Sequence, residues 1–195
     1  MKNLIKSLRL TIVFCVFISI GYVLVLWLFA QIASPNSGDA QVAKLDGKIV
    51  GAENVGQLFT KDIYFWGRPS AAGEDGYDAS HSGGTNKAVT DTAYIRIIEN
   101  RVDTFLLKHP YLTRNDVPSE LVTASGSGLD PDITPQSAYI QVQRIANARG
   151  ISIEEVKSIV DKCISRPLLG LFGPEKVNVL KMNIMLDSNC KVNKR

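Results

Sequence analysis

The sequence predicts an α+β protein with one N-terminal transmembrane helix followed by a single exported globular domain. Residues 10–33 are apolar and uncharged. At about 1.5 Å per residue, a helix of this length crosses a hydrocarbon core of about 30 Å. Farther along the chain, three segments space their apolar residues as helices do, and two segments have strand character. These patterns indicate a mixed helix-and-sheet domain.

Charge bias predicts the orientation of the membrane helix. Lys2, Lys6 and Arg9 precede the apolar stretch, and no basic residue follows it until Lys44. By the positive-inside rule, residues 1–9 are cytoplasmic, residues 10–33 span the membrane, and the rest faces outward. In a bacterium this means an inner-membrane helix and a periplasmic domain. A cleaved signal peptide has the same basic start and is the alternative, although its apolar core is usually shorter. The later domain is exported on either interpretation.

A linker, one strand and a long loop are predicted next. Residues 34–45 form a turn-rich linker, and residues 46–195 form the periplasmic α+β domain. Residues 48–50 are a candidate edge strand. Residues 61–89 are rich in Gly, Ser, Asp and Tyr. A loop of that length in a compact domain is typically functional.

Two helices are predicted after this loop from apolar spacing and capping residues. The first follows a cap at Thr90 or Asp91 and stops at residues 109–110. The second has Thr134 as its N-cap, a proline directly behind it, and Gly150 at its end.

A third helix and a strand complete the predicted domain. Ser152 and Glu155 have the spacing of a capping box, and an apolar stripe follows them to residue 163. In residues 177–186 apolar and polar side chains partly alternate, which predicts a β-strand.

Composition and motifs exclude several classes of function. Of the 22 basic residues three precede residue 10, so the exported part has as many basic as acidic residues and no nucleic-acid-binding face is predicted. His81 and His109 have no second ligand at helical spacing, so we interpret both as surface residues and predict no metal site. Residues 125–128 match neither a nucleophile elbow nor a P-loop.

The exported part contains two cysteines, Cys163 and Cys190. An oxidising compartment would allow them to pair. Spacing alone does not bring their Cα atoms within reach, so a disulfide and two buried free thiols are both open.

Several motifs together resemble a known family. They are residues 120–138, ELVTASGSGLDPDITPQSA, with supporting matches at residues 50–60, 64–70, 79–86 and 174–183. The chain resembles the C subunit of Kdp-type potassium-transporting ATPases over nearly its whole length. The resemblance implies an accessory, non-catalytic subunit of an inner-membrane complex that imports potassium at the expense of ATP. Its implied partners are a channel-like potassium-translocating A subunit, a P-type ATPase B subunit and a small F subunit, besides membrane lipid.

The resemblance also implies a link to nucleotide. The family is described as a catalytic chaperone that raises the ATP affinity of the B subunit. Its nucleotide-associated residues correspond here to Ser125, Gly126, Ser127, Gly128 and Gln141. No firmly bound cofactor is expected, and ATP enters only through this family description. Because the predicted orientation separates these residues from cytoplasmic ATP by the bilayer, we expect an indirect effect through the partner's conformation.

Candidate partner contacts lie in the long loop and in the membrane helix. Tyr64, Trp66 and Arg68 are predicted to form a partner surface, and the alternative is that the aromatic residues belong to the core. Ser19 and Gly21 are small residues that would allow close packing of a neighbouring membrane helix. On residues alone, a membrane-tethered periplasmic ligand-binding module is the alternative function.

Overall fold

The computed structural model describes residues 2–189, so the question of whether Cys163 pairs with Cys190 lies outside the described residues. The chain divides into two compact units, Met1–Gln41 and Val42–Arg195.

The first unit is one long apolar helix followed by a short turn. Helix α1 (Lys2–Ala33) has a mean hydropathy of 2.7 in its most apolar window, and none of that window is buried. A wider π-helical segment, Phe17–Tyr22, interrupts its α-helical turns. The helix ends where Ser34 adopts an extended backbone ahead of Pro35, as the residue before a proline prefers. The predicted N-terminal apolar helix is confirmed, and it begins well before residue 10.

The second unit begins with a β-hairpin. Strands β1 (Val42–Leu45) and β2 (Lys48–Ala52) pair in antiparallel fashion. Asp46 and Gly47 join them with φ angles of 50° and 77°, the two positive values that a type I′ turn needs. The candidate edge strand at residues 48–50 is present. Because β1 is part of this hairpin, the turn-rich connection ends before Val42 rather than at residue 45.

Helix α2 (Thr92–Lys108) follows a long run of turns and extended segments. Residues 53–91, all of them described, contain no helix or strand. The Asp91 side chain accepts hydrogen bonds from two main-chain N–H groups of the first turn, so Asp91 is the cap. Val102 and Phe105 are buried, whereas Ile95 in the first turns of the helix is 39% exposed. The fully buried residues of this helix lie in its second half.

The helix predicted up to Gly150 consists of two helices, α3 (Pro135–Tyr139) and α4 (Val142–Arg149). The Thr134 hydroxyl accepts from the N–H of Ser137, and Gly150 follows α4 with a φ of 68°. Both predicted caps are therefore confirmed. The break falls at residues 140–141, where the sequence has neither glycine nor proline.

Helix α5 (Ile153–Cys163) opens with the predicted capping box. The Ser152 hydroxyl accepts from the N–H of Glu155, whose carboxylate accepts from the N–H of Ser152. The buried face of α5 consists of Val156, Ile159 and Val160.

Three short strands form an antiparallel sheet in the order β3, β5, β4. Their bounds are Asp132–Ile133 for β3, Ile164–Ser165 for β4 and Lys176–Asn178 for β5. Val177 lies on the central strand and is fully buried. The sheet joins the ends of the helical segments around one core.

The strand predicted for residues 177–186 is wrong beyond Asn178, because the chain turns into helix α6 (Val179–Asn189). The Asn178 side chain accepts from the N–H of Lys181 in the first turn. The buried residues then follow helical spacing: Val179, Leu180, Met182, Asn183 and Leu186. A short apolar segment satisfies parts of both periods, which is why alternation was misleading here.

Candidate functional site

Residues 62–66 begin in a turn, closed by a hydrogen bond from the N–H of Tyr64 to the carbonyl of Lys61, and are held by side chains instead of a neighbouring strand. The carbonyl oxygens of these five consecutive residues each accept a hydrogen bond from a side chain. Four side chains donate these bonds, and they are named the polar cradle: Gln141, Arg144, Arg149 and Asn183. Residues 62–66 are the bonded segment. All four cradle residues are buried, so their polar groups depend on these bonds.

Two amide side chains of the cradle bond the segment much as a partner strand would. Asn183 accepts from the N–H of Phe65 at 2.8 Å and donates to the carbonyl of Phe65 at 3.0 Å. Gln141 does the same with Trp66, at 2.8 and 3.1 Å. An amide side chain can do this because it carries an oxygen acceptor and an NH2 donor side by side.

Arg144 joins the bonded segment to the end of α2. Its guanidinium donates to the carbonyls of Asp62 and Tyr64 at 2.5 and 3.0 Å and to Nε2 of His109 at 2.9 Å. It also lies 4.0 Å from the centre of the Trp66 ring, a cation–π contact. Desolvation by burial lowers the pKa of Arg144 to about 10, so the side chain remains a cation at neutral pH.

His109 is fully buried, so its interpretation as a surface histidine is wrong. Its ring stacks on Phe105 with the centroids 3.9 Å apart. Nδ1 lies 2.7 Å from the carbonyl oxygen of Phe105, and Nε2 accepts from Arg144. These bonds require a neutral ring with its proton on Nδ1. Burial, reinforced by the positive charge of Arg144, lowers the pKa of His109 to about 4. His81 has an exposed side chain, as predicted.

A second arginine connects the bonded segment to α6. Arg149 donates to the carbonyl of Ile63 at 2.7 Å and forms an ion pair of 2.7 Å with Asp187. The hydroxyl of Tyr64 donates to the other oxygen of the Asp187 carboxylate at 2.9 Å. The Arg149 side chain is fully buried, and Asp187 supplies the opposite charge that a buried guanidinium needs.

The structure divides the aromatic residues of the segment between two environments. Phe65 is fully buried, and Tyr64, Trp66 and Arg68 are half-buried. Phe65 belongs to the core, whereas Tyr64 and Trp66 on either side of it each keep an exposed edge. The core interpretation therefore holds for Phe65. The partner role of the other three stays a prediction.

An apolar groove lies beside Trp66. Its volume is about 390 Å³, and α2 forms much of its wall. The lining residues are Trp66, Pro69, Ile97, Asn100, Arg101, Thr104, Phe105 and Leu121. Ile97 is 47% exposed, which leaves an apolar surface open next to a rigidly held aromatic ring.

Arg68 fixes the far end of the same loop. Its guanidinium lies 3.1 Å from the carboxylate of Asp130 and donates to the carbonyl of Ala124 at 3.4 Å. The hydroxyl of Tyr77 donates to the carbonyl of Arg68. Burial raises the pKa of Tyr77 to about 12, so this donor keeps its proton. The long loop is thereby tied to residues 124–130.

Residues 125–128 form a tight turn against a second glycine-rich stretch. The carbonyl of Ser127 accepts from the N–H of Gly83 and from the hydroxyl of Ser82, both at 2.9 Å. Gly128 has a φ of 70°, and a Cβ there would lie 2.7 Å from the carbonyl oxygen of Gly83. Only glycine fits that position.

Gln141 belongs to a different set of contacts from this turn. Besides its two bonds to Trp66, its amide donates to the carbonyl of Ser137 at 3.0 Å and accepts from Arg144 at 2.8 Å. No hydrogen bond joins Gln141 to residues 125–128 within the described part of the chain. The structure therefore places the predicted nucleotide-associated residues in two separate networks.

The remaining candidates are in α1 and α5. Ser19 and Gly21 lie in the π-helical segment, and a Cβ on Gly21 would be 3.7 Å from the Phe17 ring. Their packing role stays a prediction. Cys163 has no disulfide partner among residues 2–189; its sulfur lies 4.0 Å from that of Met185, and burial raises the pKa of its thiol. Among residues 2–189, no three His, Cys, Asp or Glu side chains are grouped to hold a metal ion.

Sequence and structure first define a broad class, an α+β protein with a long N-terminal apolar helix that associates with membranes. Sequence comparison narrows this class. Residues 4–188 match the family described as KdpC, K+-transporting ATPase, c chain, and the chain therefore belongs to this family.

Individual relatives agree with this assignment. The potassium-transporting ATPase KdpC subunit of Bacteroides thetaiotaomicron is 65% identical over 189 residues, which cover 97% of this chain and 100% of the relative. The protein of the same name from Phocaeicola vulgatus is 66% identical over 187 residues, covering 96% and 98%. That from Caldanaerobacter subterraneus is 42% identical over 190 residues, covering 97% of both chains. The family resemblance inferred from the motifs is confirmed.

Proposed function

We propose that this chain is the accessory, non-catalytic subunit of an ATP-driven potassium import complex. The observation that carries the proposal is the family match over residues 4–188, together with relatives named as potassium-transporting ATPase KdpC subunits. Its partners are a channel-like A subunit, a P-type ATPase B subunit and a small F subunit. Lys2, Lys6 and Arg9 on one side of the apolar stretch support an inner-membrane location with a cytoplasmic N-terminus and a periplasmic globular unit.

The proposed role of the globular unit is to stabilise the assembly by binding the outward face of the channel-like subunit. The polar cradle supports this role, because it holds Tyr64 and Trp66 in place before any partner arrives. A surface that is already ordered loses less conformational entropy on binding. The apolar groove beside Trp66, with the exposed side chain of Ile97, is the proposed contact.

The proposed effect on ATP affinity is indirect. Gln141 already uses its amide for four hydrogen bonds inside the unit, which leaves it no free polar atom for a nucleotide. A subunit that binds one conformation of its partner more tightly changes that partner's ligand affinity by linkage. The turn at residues 125–128 then acts through the loop that it supports.

The test is co-purification of the tagged full chain from native membranes under potassium starvation, in mild detergent. Ile97→Asp is expected to reduce recovery of the channel-like and ATPase subunits severalfold, because it puts a charge in the groove. Val89→Asp is the matched control, since Val89 is 88% exposed and does not line the groove. Recovery of the unaltered chain alone, from membranes that contain both partners, would contradict the proposal and favour a tethered ligand-binding module.

A further inference from the structure

The loop between β4 and β5 carries an apolar surface that nothing in the globular unit covers. This loop includes residues 167–174, Pro-Leu-Leu-Gly-Leu-Phe-Gly-Pro, named the apolar tip. Leu168, Leu169, Leu171 and Phe172 are 69, 81, 81 and 64% exposed. A contiguous apolar surface of this kind on a folded protein marks a contact with a membrane or another protein.

The backbone of the tip is closed on itself. Several of its N–H groups donate to carbonyls inside the tip, namely those of Leu168, Gly170, Leu171 and Phe172. The two prolines at its ends have no N–H to satisfy. Leu169 has a φ of 55°, a conformation that non-glycine residues rarely adopt. The fold therefore turns the side chains outward while it satisfies most main-chain donors internally, as an apolar environment without water demands.

The chemistry of the tip distinguishes between the two kinds of partner. Its side chains contain no hydrogen-bonding group, and charges stop at Arg166 and resume at Glu175. Protein interfaces form about one hydrogen bond per 100–200 Å², and their dominant residues are Trp, Tyr and Arg, with Leu under-represented. Leu and Phe above a polar rim are instead typical of segments that enter the boundary between headgroups and acyl chains.

We propose that the apolar tip is a second membrane contact, which inserts Leu169, Leu171 and Phe172 into the surface of the bilayer that holds α1. Because the tip and α1 belong to one chain, binding of the tip to the bilayer is intramolecular once α1 is embedded, so a small apolar surface suffices. The contact requires only that α1 is embedded in a bilayer. It does not depend on potassium transport or on any partner subunit.

Photo-crosslinking of the full chain in its native membrane tests this proposal. A benzophenone amino acid replaces Phe172 in one variant, Leu171 in a second, and Val89 in a control that is more exposed than either and far along the chain. Mass spectrometry of the crosslinked peptides is expected to find phospholipid adducts at positions 171 and 172, severalfold above those at position 89.

Three results would overturn the proposal. The first is an adduct between the tip and a partner protein in place of lipid, which would make the tip a protein-docking element. The second is lipid labelling at positions 171 and 172 no higher than at position 89. The third is absence of any adduct at both tip positions, as expected if the tip faced only water. Co-purification of the ATPase subunits is a separate readout, so failure of one proposal leaves the other intact.

Discussion

The polar cradle and the apolar tip distribute their side chains in opposite ways. At the cradle, two arginines, a glutamine and an asparagine are buried and bonded to the backbone of residues 62–66. At the tip, four large apolar side chains are exposed with no cover. A buried polar network is favourable only when its members are bonded, so it specifies one conformation. An exposed apolar loop adds little to folding. The cradle therefore serves stability, and the tip serves contact with something outside the unit.

Arg144→Met is expected to have the largest effect on stability and therefore tests the contrast between cradle and tip most directly. The change leaves the carbonyls of Asp62 and Tyr64 and the Nε2 atom of His109 without their donor. We expect the free energy of unfolding to fall by about 3–5 kcal/mol, measured by urea unfolding of the full chain in mild detergent. Arg96→Met, at an exposed position of α2, is the control. A loss below about 1 kcal/mol would mean that the cradle is not a stability element.

Gln141→Leu is expected to have the next largest effect. It removes both bonds to Trp66 and leaves the main-chain N–H and carbonyl of that residue unpaired. The expected loss is about 2–4 kcal/mol, by the same unfolding measurement. Gln143→Leu, two residues along at an exposed position, controls for the loss of an amide. Equal effects of the two substitutions would argue against the bidentate bond as the cause.

The pH dependence of stability sharpens the role of His109. Burial lowers its pKa to about 4 in the folded chain from 6.5, so the unfolded state binds more protons between these values. The stabilising contribution is complete above pH 6.5 and is lost as the pH falls towards 4, by about 1–3 kcal/mol. Urea unfolding at several pH values measures this slope. His109→Gln should flatten it, and an unchanged slope in that variant would assign the effect to carboxylates instead.

Leu171→Ser is expected to have the smallest effect on stability, within about 0.5 kcal/mol, because the side chain is exposed. Leu186→Ala, at a fully buried position of α6, should cost about 2–5 kcal/mol in the same assay. A large loss for Leu171→Ser would show that the tip packs within the unit, which would remove the contrast with the cradle.

Local signals predicted the helix ends well. Asp91, Thr134, Gly150 and Ser152 cap helices as expected, because each cap depends on residues within one turn. The strand predicted for residues 177–186 was wrong, because the local pattern there is ambiguous. Helix α6 buries Asn183 among apolar neighbours, and a buried polar residue disturbs both the helical and the strand pattern in so short a segment.

Local sequence patterns could not predict the polar cradle, because the residues that hydrogen-bond to each other there are far apart in the chain. Gln141 and Trp66 are 75 residues apart, and Asn183 and Phe65 are 118 apart. The burial of His109 was missed for the same reason, because Arg144, which donates to its Nε2 atom, is 35 residues away. Gln141 was singled out through the family resemblance for a nucleotide role, and Trp66 through its place in the long loop for a partner role, but neither as a partner of the other. The apolar run at residues 167–174 is visible in the sequence, whereas its exposure is a tertiary property.

The paired amides of Asn183 and Gln141 make part of a loop behave as a sheet does. Residues 65 and 66 lie outside any strand, yet both of their N–H groups are bonded at 2.8 Å to buried side chains. Exchange of these two amide hydrogens with solvent deuterium therefore requires opening of the cradle, not local loop motion. The slowest-exchanging loop protons should mark the part of the chain that unfolds together with helices α4 and α6.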